Sequence, residues 1–103
     1  MDRIKRIREM EQCLDLSAAA VKKLSGALEE YEAAQKSYKK LSDYYGSVRW
    51  MQDYEADEAG HLPADLKRGV LSEDAVYDLI MEDRALKIRM MKLLTYAIEK
   101  QLI

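Results

Sequence analysis

The chain has 103 residues, of which 49% are hydrophobic and 35% are charged, and its net charge is −2. It is too apolar for a disordered chain and too charged for a membrane protein, and it has no apolar run near the roughly 18–20 residues that span a bilayer. The negative charge argues against a general nucleic-acid binder. With no secretory signal and a single Cys13, we expect one cytosolic domain, residues 1–103, without disulfides.

Residues 3 to about 45 are predicted to form one long amphipathic helix. With Ile7 at heptad position a, the a and d positions form a mostly apolar seam along the whole segment, and small residues such as Ala20 flank it at the g positions. The a and d residues are Ile7, Met10, Leu14, Ser17, Val21, Leu24, Leu28, Tyr31, Gln35, Tyr38, Ser42 and Tyr45. A seam of this length is typical of a helix that packs lengthwise against another helix.

Residues 46 to about 72 are predicted to form an elbow of two short helices. Gly46 can end the long helix because glycine accepts a positive φ without penalty. Ser47 can cap a helix over residues 48–59. A second short helix is predicted over residues 63–68, because a proline opens this segment and a glycine follows it.

Residues 73 to about 101 are predicted to form a second long helix, with Ser72 as its N-cap and Glu73 and Asp74 in its first turn. This helix has two apolar stripes. The first comprises Val76, Leu79, Ile80, Leu86, Met90, Leu93, Leu94 and Ala97. The second comprises Tyr77, Met81, Ile88, Met91, Ile98 and Leu102, and the first five of these are the candidate dimer face. A helix that is apolar on two sides needs two neighbours. The short helices of the elbow could cover the second side, but they are too short to cover the whole helix, so we expect a homodimer.

The predicted fold class is therefore all-α. Two long antiparallel helices form a helical hairpin of coiled-coil type, joined by the elbow of two short helices and completed by dimerisation. Residues 43–83 hold eleven acids against three bases, whereas the rest of the chain is basic. Antiparallel packing would then produce an acidic tip at the elbow and a basic tip at the two termini.

The residues that could support catalysis or metal binding are few. A single His61 excludes catalytic histidine pairs, and no phosphate loop, zinc spacing or dinucleotide fingerprint occurs, so we expect no enzyme, no catalytic residue and no cofactor. Glu58 and His61, with Asp53 and Asp57, are weak candidates for a divalent-metal site. Gly60 breaks the helix that would align them, which favours a solvated acidic elbow.

Two macromolecular surfaces remain as candidates. The basic segment Arg3–Arg8, with Lys22 and Lys23, could contact nucleic acid, but the net charge and the missing recognition motif make a solvated helix face the favoured interpretation. Aromatic residues and one arginine near the elbow could bind a protein partner or could form a small aromatic core. These partner-binding candidates are Tyr45, Trp50, Tyr54, Arg68 and Tyr77.

The segment from Tyr44 to Tyr77 also carries a family resemblance. Its residues are Tyr44-Tyr45-Gly46-Ser47, Trp50, Asp53, Asp57-Glu58, Leu62-Pro63, Asp65-Leu66, Arg68-Gly69-Val70-Leu71-Ser72-Glu73-Asp74 and Tyr77. This combination resembles a bacterial family of unknown function, domain of unknown function 4298. The resemblance implies a bacterial cytosolic protein and supplies no activity, cofactor or partner. We therefore expect a non-catalytic protein–protein interaction module, with a nucleic-acid-associated regulator and a metal site on the elbow as alternatives.

Overall fold

The computed structural model describes residues 2–103, and within them it contains three α-helices, one short 3-10 helix and no strand. Helix α1 spans Asp2–Tyr44, α2 spans Val48–Glu58, the 3-10 helix spans Gly69–Leu71 and α3 spans Ala75–Glu99. The predicted all-α class is confirmed. In this part of the chain no helix is both long and apolar enough to cross a membrane. The chain divides into two compact units, residues 1–38 and 39–103, which are described in turn.

The described part of the first unit, residues 2–38, belongs entirely to α1. Gly26 does not interrupt the helix, which is the continuity that the heptad pattern predicts. The a and d side chains are exposed from Ile7 to Leu24 and partly buried from Leu28 to Tyr38. Burial of the a and d side chains therefore increases halfway along the helix, although the heptad spacing continues unchanged.

The second unit begins with the last residues of α1 and turns into α2. Gly46 has φ +78°, and the Ser47 hydroxyl oxygen accepts a hydrogen bond of 3.1 Å from the Trp50 backbone N–H. At the other end of α2, Gly60 has φ +73°, and the N–H groups of Gly60 and His61 bond to carbonyls inside the last turn. These are the glycine-terminated helix ends and the serine cap that the sequence predicts.

The predicted helix over Pro63–Arg68 is wrong. That segment contains one turn, closed by a 3.2 Å bond from the Leu66 N–H to the Pro63 carbonyl, and the 3-10 helix follows at Gly69–Leu71. The Arg68 side chain explains the difference, because its guanidinium donates to the Pro63 and Leu66 carbonyls. Side-chain donors thus replace the backbone N–H groups that a helix would supply.

Helix α3 begins two residues later and ends two residues earlier than predicted, so Glu73 and Asp74 precede it. Ser72 still caps it, since its hydroxyl oxygen accepts a 3.3 Å bond from the Ala75 N–H. Leu71 and Val76, the two buried apolar residues of the described chain, lie on either side of this helix start. The core of the second unit is therefore small and is centred on the junction of elbow and α3.

A charged pair lies in the less exposed stripe of α3. Asp83 is only 8% exposed and bonds at 2.5 Å to the Nζ of Lys87, one turn further along. The least exposed residues of α3 are Val76, Ile80, Asp83, Lys87, Met90 and Ala97, at helical spacing. The apolar stripes predicted from the sequence do not include Asp83 and Lys87, although both residues lie on the same side of the helix as Val76 and Met90.

Candidate functional site

Three aromatic side chains of the elbow form a row around Trp50, which we call the aromatic row (Tyr45, Trp50 and Tyr54). The centroids of Tyr45 and Trp50 are 5.4 Å apart with the rings near perpendicular, and those of Trp50 and Tyr54 are 5.4 Å apart with the rings stacked. The Trp50 indole N–H donates a 2.8 Å hydrogen bond to the Val70 carbonyl. All three side chains are partly buried. The row therefore joins α2 to the 3-10 helix and also leaves aromatic surface in contact with solvent.

Carboxylates surround one end of the aromatic row. The negative charge of Glu58 raises the pKa of Tyr54, and burial and the charges of Glu73 and Asp57 raise it further. A raised tyrosine pKa means that the ionised, negative form is disfavoured there. This end of the row is therefore better suited to a cationic group than to an anionic one, because aromatic faces and carboxylates both attract cations.

Arg68 closes the loop between α2 and the 3-10 helix. Its guanidinium donates to Asp57 at 2.5 Å, to the Pro63 carbonyl at 2.7 Å and to the Leu66 carbonyl at 3.3 Å. The Arg68 and Asp57 side chains are 34% and 19% exposed, so this ion pair is partly shielded from water. Arg68, a partner-binding candidate in the sequence, is thus bonded to Asp57 within the elbow.

Tyr44 and Asp53 form a second polar contact, which the sequence interpretation missed. The Tyr44 hydroxyl donates a 2.6 Å bond to Asp53, joining the end of α1 to α2. This bond, burial and the charge of Asp53 raise the pKa of Tyr44 to about 12. Both residues line an open depression of about 320 Å³, together with Leu62, Leu66, Arg68 and Leu71. In the sequence, this contact could have been inferred from a tyrosine shortly before Gly46-Ser47 and an acid in the second turn of the next helix.

The weak metal candidates do not come together. Asp53 is bonded to Tyr44 and Asp57 to Arg68. Glu58 is the last residue of α2, and His61 follows the left-handed Gly60, so the two do not project from one helix. Within residues 2–103 there is no group of three or more His, Cys, Asp or Glu side chains that could hold a metal ion.

The candidate dimer face of α3 is exposed along its whole length. Its five residues, Tyr77, Met81, Ile88, Met91 and Ile98, are between 39% and 69% exposed. Tyr77 is also one of the predicted partner-binding residues near the elbow, but it takes part in neither ring contact of the aromatic row. The structure therefore places Tyr77 on the α3 face, at its N-terminal end.

A further exposed apolar surface lies on α1, where the sequence analysis expected a covered one. Among the first six a and d positions, the five apolar side chains Ile7, Met10, Leu14, Val21 and Leu24 are 53–68% exposed. From Leu28 onward the seam is partly buried. The heptad spacing is the same in both halves, but the d positions change from Met10, Ser17 and Leu24 to three tyrosines.

Together these features define a small all-helical protein with an elbow joined by polar contacts and apolar faces exposed on its long helices. The chain belongs to the family described as domain of unknown function (DUF4298), whose sequence profile matches residues 7–93. The resemblance drawn from the elbow residues is thereby confirmed. No curated protein and no solved structure matches the chain.

Proposed function

We propose that the protein is a non-catalytic protein–protein interaction module that forms a homodimer. The observation that carries this proposal is the exposed apolar face of α3, from Tyr77 to Ile98. Single exposed apolar residues are ordinary on protein surfaces, but an aligned row of them at helical spacing is typical of an interface. Covering one such half-exposed side chain would contribute about 1 kcal/mol, since full burial contributes roughly 1.5–3 kcal/mol.

The polar side chains of the elbow bond to one another or to the backbone, which supports a binding role over a catalytic role. Tyr44 bonds to Asp53, Arg68 bonds to Asp57, and the Trp50 indole bonds to a backbone carbonyl. Each contact lies between different segments of the turn, so these groups stabilise its shape. A turn stabilised in this way presents the aromatic row in one conformation, which lowers the entropic cost of binding.

The aromatic row is proposed as a second surface, used for a different protein. Tyrosine and tryptophan are the residues most enriched at the energetic centres of interfaces. The carboxylates around Tyr54 favour a partner segment that carries lysine or arginine. Tyr77, at the start of α3, belongs to the proposed dimer face.

The predicted antiparallel pairing of α1 with α3 remains part of the proposal. Its support is the helical spacing of apolar residues on each helix, at the heptad positions of α1 and in the first stripe of α3 from Val76 to Ala97. Such spacing is that of a side-by-side helix contact.

Light scattering after size-exclusion chromatography tests the proposal. At tens of micromolar we expect the mass of a dimer, and we expect the double substitution Ile88→Asp with Met91→Asp to weaken dimerisation at least tenfold, because it would bury charge in the interface. Arg89→Asp is the matched control, since Arg89 lies on the same turn of α3 but outside both apolar stripes. A wild-type chain that stays monomeric at this concentration would remove the main support for the proposal.

A further inference from the structure

We propose that the N-terminal half of α1 (residues 7–24), called the α1 seam here, pairs in parallel and in register with the α1 seam of a second copy. The inference rests on the proposed function, which it deepens by naming one contact surface and its occupant. The two paired segments would form a two-stranded coiled coil of about 27 Å, at 1.5 Å per residue.

The first argument is the change of burial along one continuous heptad spacing. The a and d residues from Leu28 to Tyr45 are partly covered, whereas the five apolar ones from Ile7 to Leu24 stand 53–68% exposed. A heptad pattern is a pattern for helix pairing, and a surface helix without a partner has no physical need for it. The exposed half of the helix therefore presents an apolar seam that has the spacing for pairing with a second helix.

The second argument is the residue types in and beside the α1 seam. Two of its three a positions hold β-branched side chains, Ile7 and Val21, a preference associated with parallel two-stranded coiled coils. The flanking e and g positions include Ala18, Ala20 and Ser25, whose small side chains let two helices approach closely. These residue types therefore allow the seam of a second copy to approach closely.

The third argument is charge, and it decides the orientation. In a parallel pair a g residue faces the e residue five positions later on the other helix, so Arg6 at g would face Glu11 at e, twice by symmetry. In an antiparallel pair g faces g and e faces e. Among residues 4–27 no g position holds an acid and no e position holds a base, so antiparallel pairing brings no opposite charges together.

Disulfide trapping tests the register in the full-length chain. In a Cys13→Ala background, Ser17→Cys introduces a thiol at a d position, where the Cβ atoms of two parallel in-register helices come within the roughly 4 Å that a disulfide needs. Ala19→Cys introduces one at the outward f position as the matched control. We expect a disulfide-linked dimer from Ser17→Cys under mild oxidation and little from Ala19→Cys. Equal crosslinking of both, or none from Ser17→Cys, would overturn the inference.

Substitutions in the α1 seam test this inference separately from the proposed function. Leu14→Asp should weaken dimerisation at least tenfold, whereas Leu16→Asp, at a c position that is 74% exposed, should leave it unchanged. Neither side chain is buried in the single chain, and circular dichroism checks that helix content is kept. If Leu14→Asp remains dimeric while Ile88→Asp with Met91→Asp becomes monomeric, the inference fails and the proposed function stands. If the wild-type chain is monomeric, both fail.

A charge exchange tests the orientation independently. Arg6→Glu or Glu11→Arg alone places like charges opposite each other, and we expect either to weaken the dimer severalfold at low salt. The double exchange restores the pairing and should recover most of that loss. A double variant as weak as the two single effects combined would contradict parallel pairing.

Discussion

Arg68 is the single side chain on which the shape of the elbow depends most. Its guanidinium donates to one carboxylate, on Asp57, and to two backbone carbonyls, those of Pro63 and Leu66. A planar group with donors in a fixed fork can serve three acceptors at once, which a lysine ammonium on a flexible stem does less well. The loop between Gly60 and Gly69 contains no regular helix, so these side-chain bonds replace a hydrogen-bonded backbone there.

We expect Arg68→Lys to lower the free energy of unfolding by about 1–2 kcal/mol, since hydrogen bonds to charged groups contribute roughly 1.5–3 kcal/mol and this pair is partly exposed. Urea denaturation measures the effect. The control is Lys39→Ala, which removes the ion pair with Asp43. The two side chains of that pair are 77% and 66% exposed, so its loss should change stability by less than about 0.5 kcal/mol. Similar losses in both variants would contradict the role given to Arg68.

The contact between Tyr44 and Asp53 makes stability depend on pH in the alkaline range. The pKa of Tyr44 is raised from 10.0 to about 12, chiefly by its hydrogen bond to Asp53. An unfolded tyrosine ionises near pH 10, so the unfolded state loses its proton first. The stability due to this contact is therefore fully present below pH 10 and is lost as the pH rises from 10 to 12.

We expect Tyr44→Phe to remove that part of the pH dependence, measured as a smaller fall in the urea midpoint between pH 10 and 11 than in the wild type. Tyr96→Phe, at an exposed position of α3, should retain the wild-type fall. At pH 7, Tyr44→Phe should also cost about 1–2 kcal/mol, because Asp53 loses a donor in a partly buried place. An unchanged pH dependence in Tyr44→Phe would show that the bond is absent in solution.

At the scale of elements, the ends of the helices are set by backbone conformations that glycine accepts best. Gly46 and Gly60 follow α1 and α2 with φ of +78° and +73°, and Gln101 follows α3 with φ +56°. An L residue in this conformation brings its Cβ close to a carbonyl, at a cost of roughly 1–2 kcal/mol. Gly26, in contrast, lies in the interior of α1, where glycine is the weaker choice.

The same substitution should therefore have opposite effects at two glycines. At neither Gly46 nor Gly26 would an added Cβ come within 4 Å of an atom beyond the adjacent backbone, so only the backbone conformation decides. We expect Gly46→Ala to destabilise the chain by about 1 kcal/mol and Gly26→Ala to stabilise it by about 0.5–1 kcal/mol. Thermal denaturation followed by circular dichroism gives both values. Two changes of the same sign would contradict the helix boundary at Tyr44 or the continuity of α1 through Gly26.

At the scale of the whole molecule, the buried core is small and the exposed apolar faces are extensive. Leu71 and Val76 are the buried apolar residues among residues 2–103, whereas the α1 seam and the α3 face are open along several turns. Burial of apolar surface is the main favourable contribution to folding, so under the proposed function we expect a chain with so little of it to gain stability from association.

The thermal midpoint should accordingly rise with protein concentration, by about 5–10 °C per hundredfold, as mass action requires for a dimer of chains of about 100 residues. Differential scanning calorimetry between 1 and 100 μM measures this rise. Leu14→Asp should reduce the dependence, and Leu16→Asp should leave it unchanged. A midpoint independent of concentration in the wild type would mean that the folded chain does not associate over this range.

The sequence by itself determined the three α-helices, because their signals are local. The heptad spacing of α1, the Gly46-Ser47 turn, the Gly60 helix end and the Ser72 cap each depend on neighbours within a few residues. The elbow residues also identified the family, since they combine several rare features over a short span.

Only the tertiary structure decided which side chains form hydrogen bonds across the elbow and which apolar faces are covered. The Arg68 bonds to the Pro63 and Leu66 carbonyls replaced a predicted helix, and the hydroxyl of Tyr44 bonds to Asp53 across a turn. In the structure, the a and d side chains of α1 are exposed up to Leu24 and partly buried from Leu28 onward. Helical periodicity indicates which face of a helix is apolar, but which part of that face is covered depends on the length and position of other elements, which no local pattern encodes.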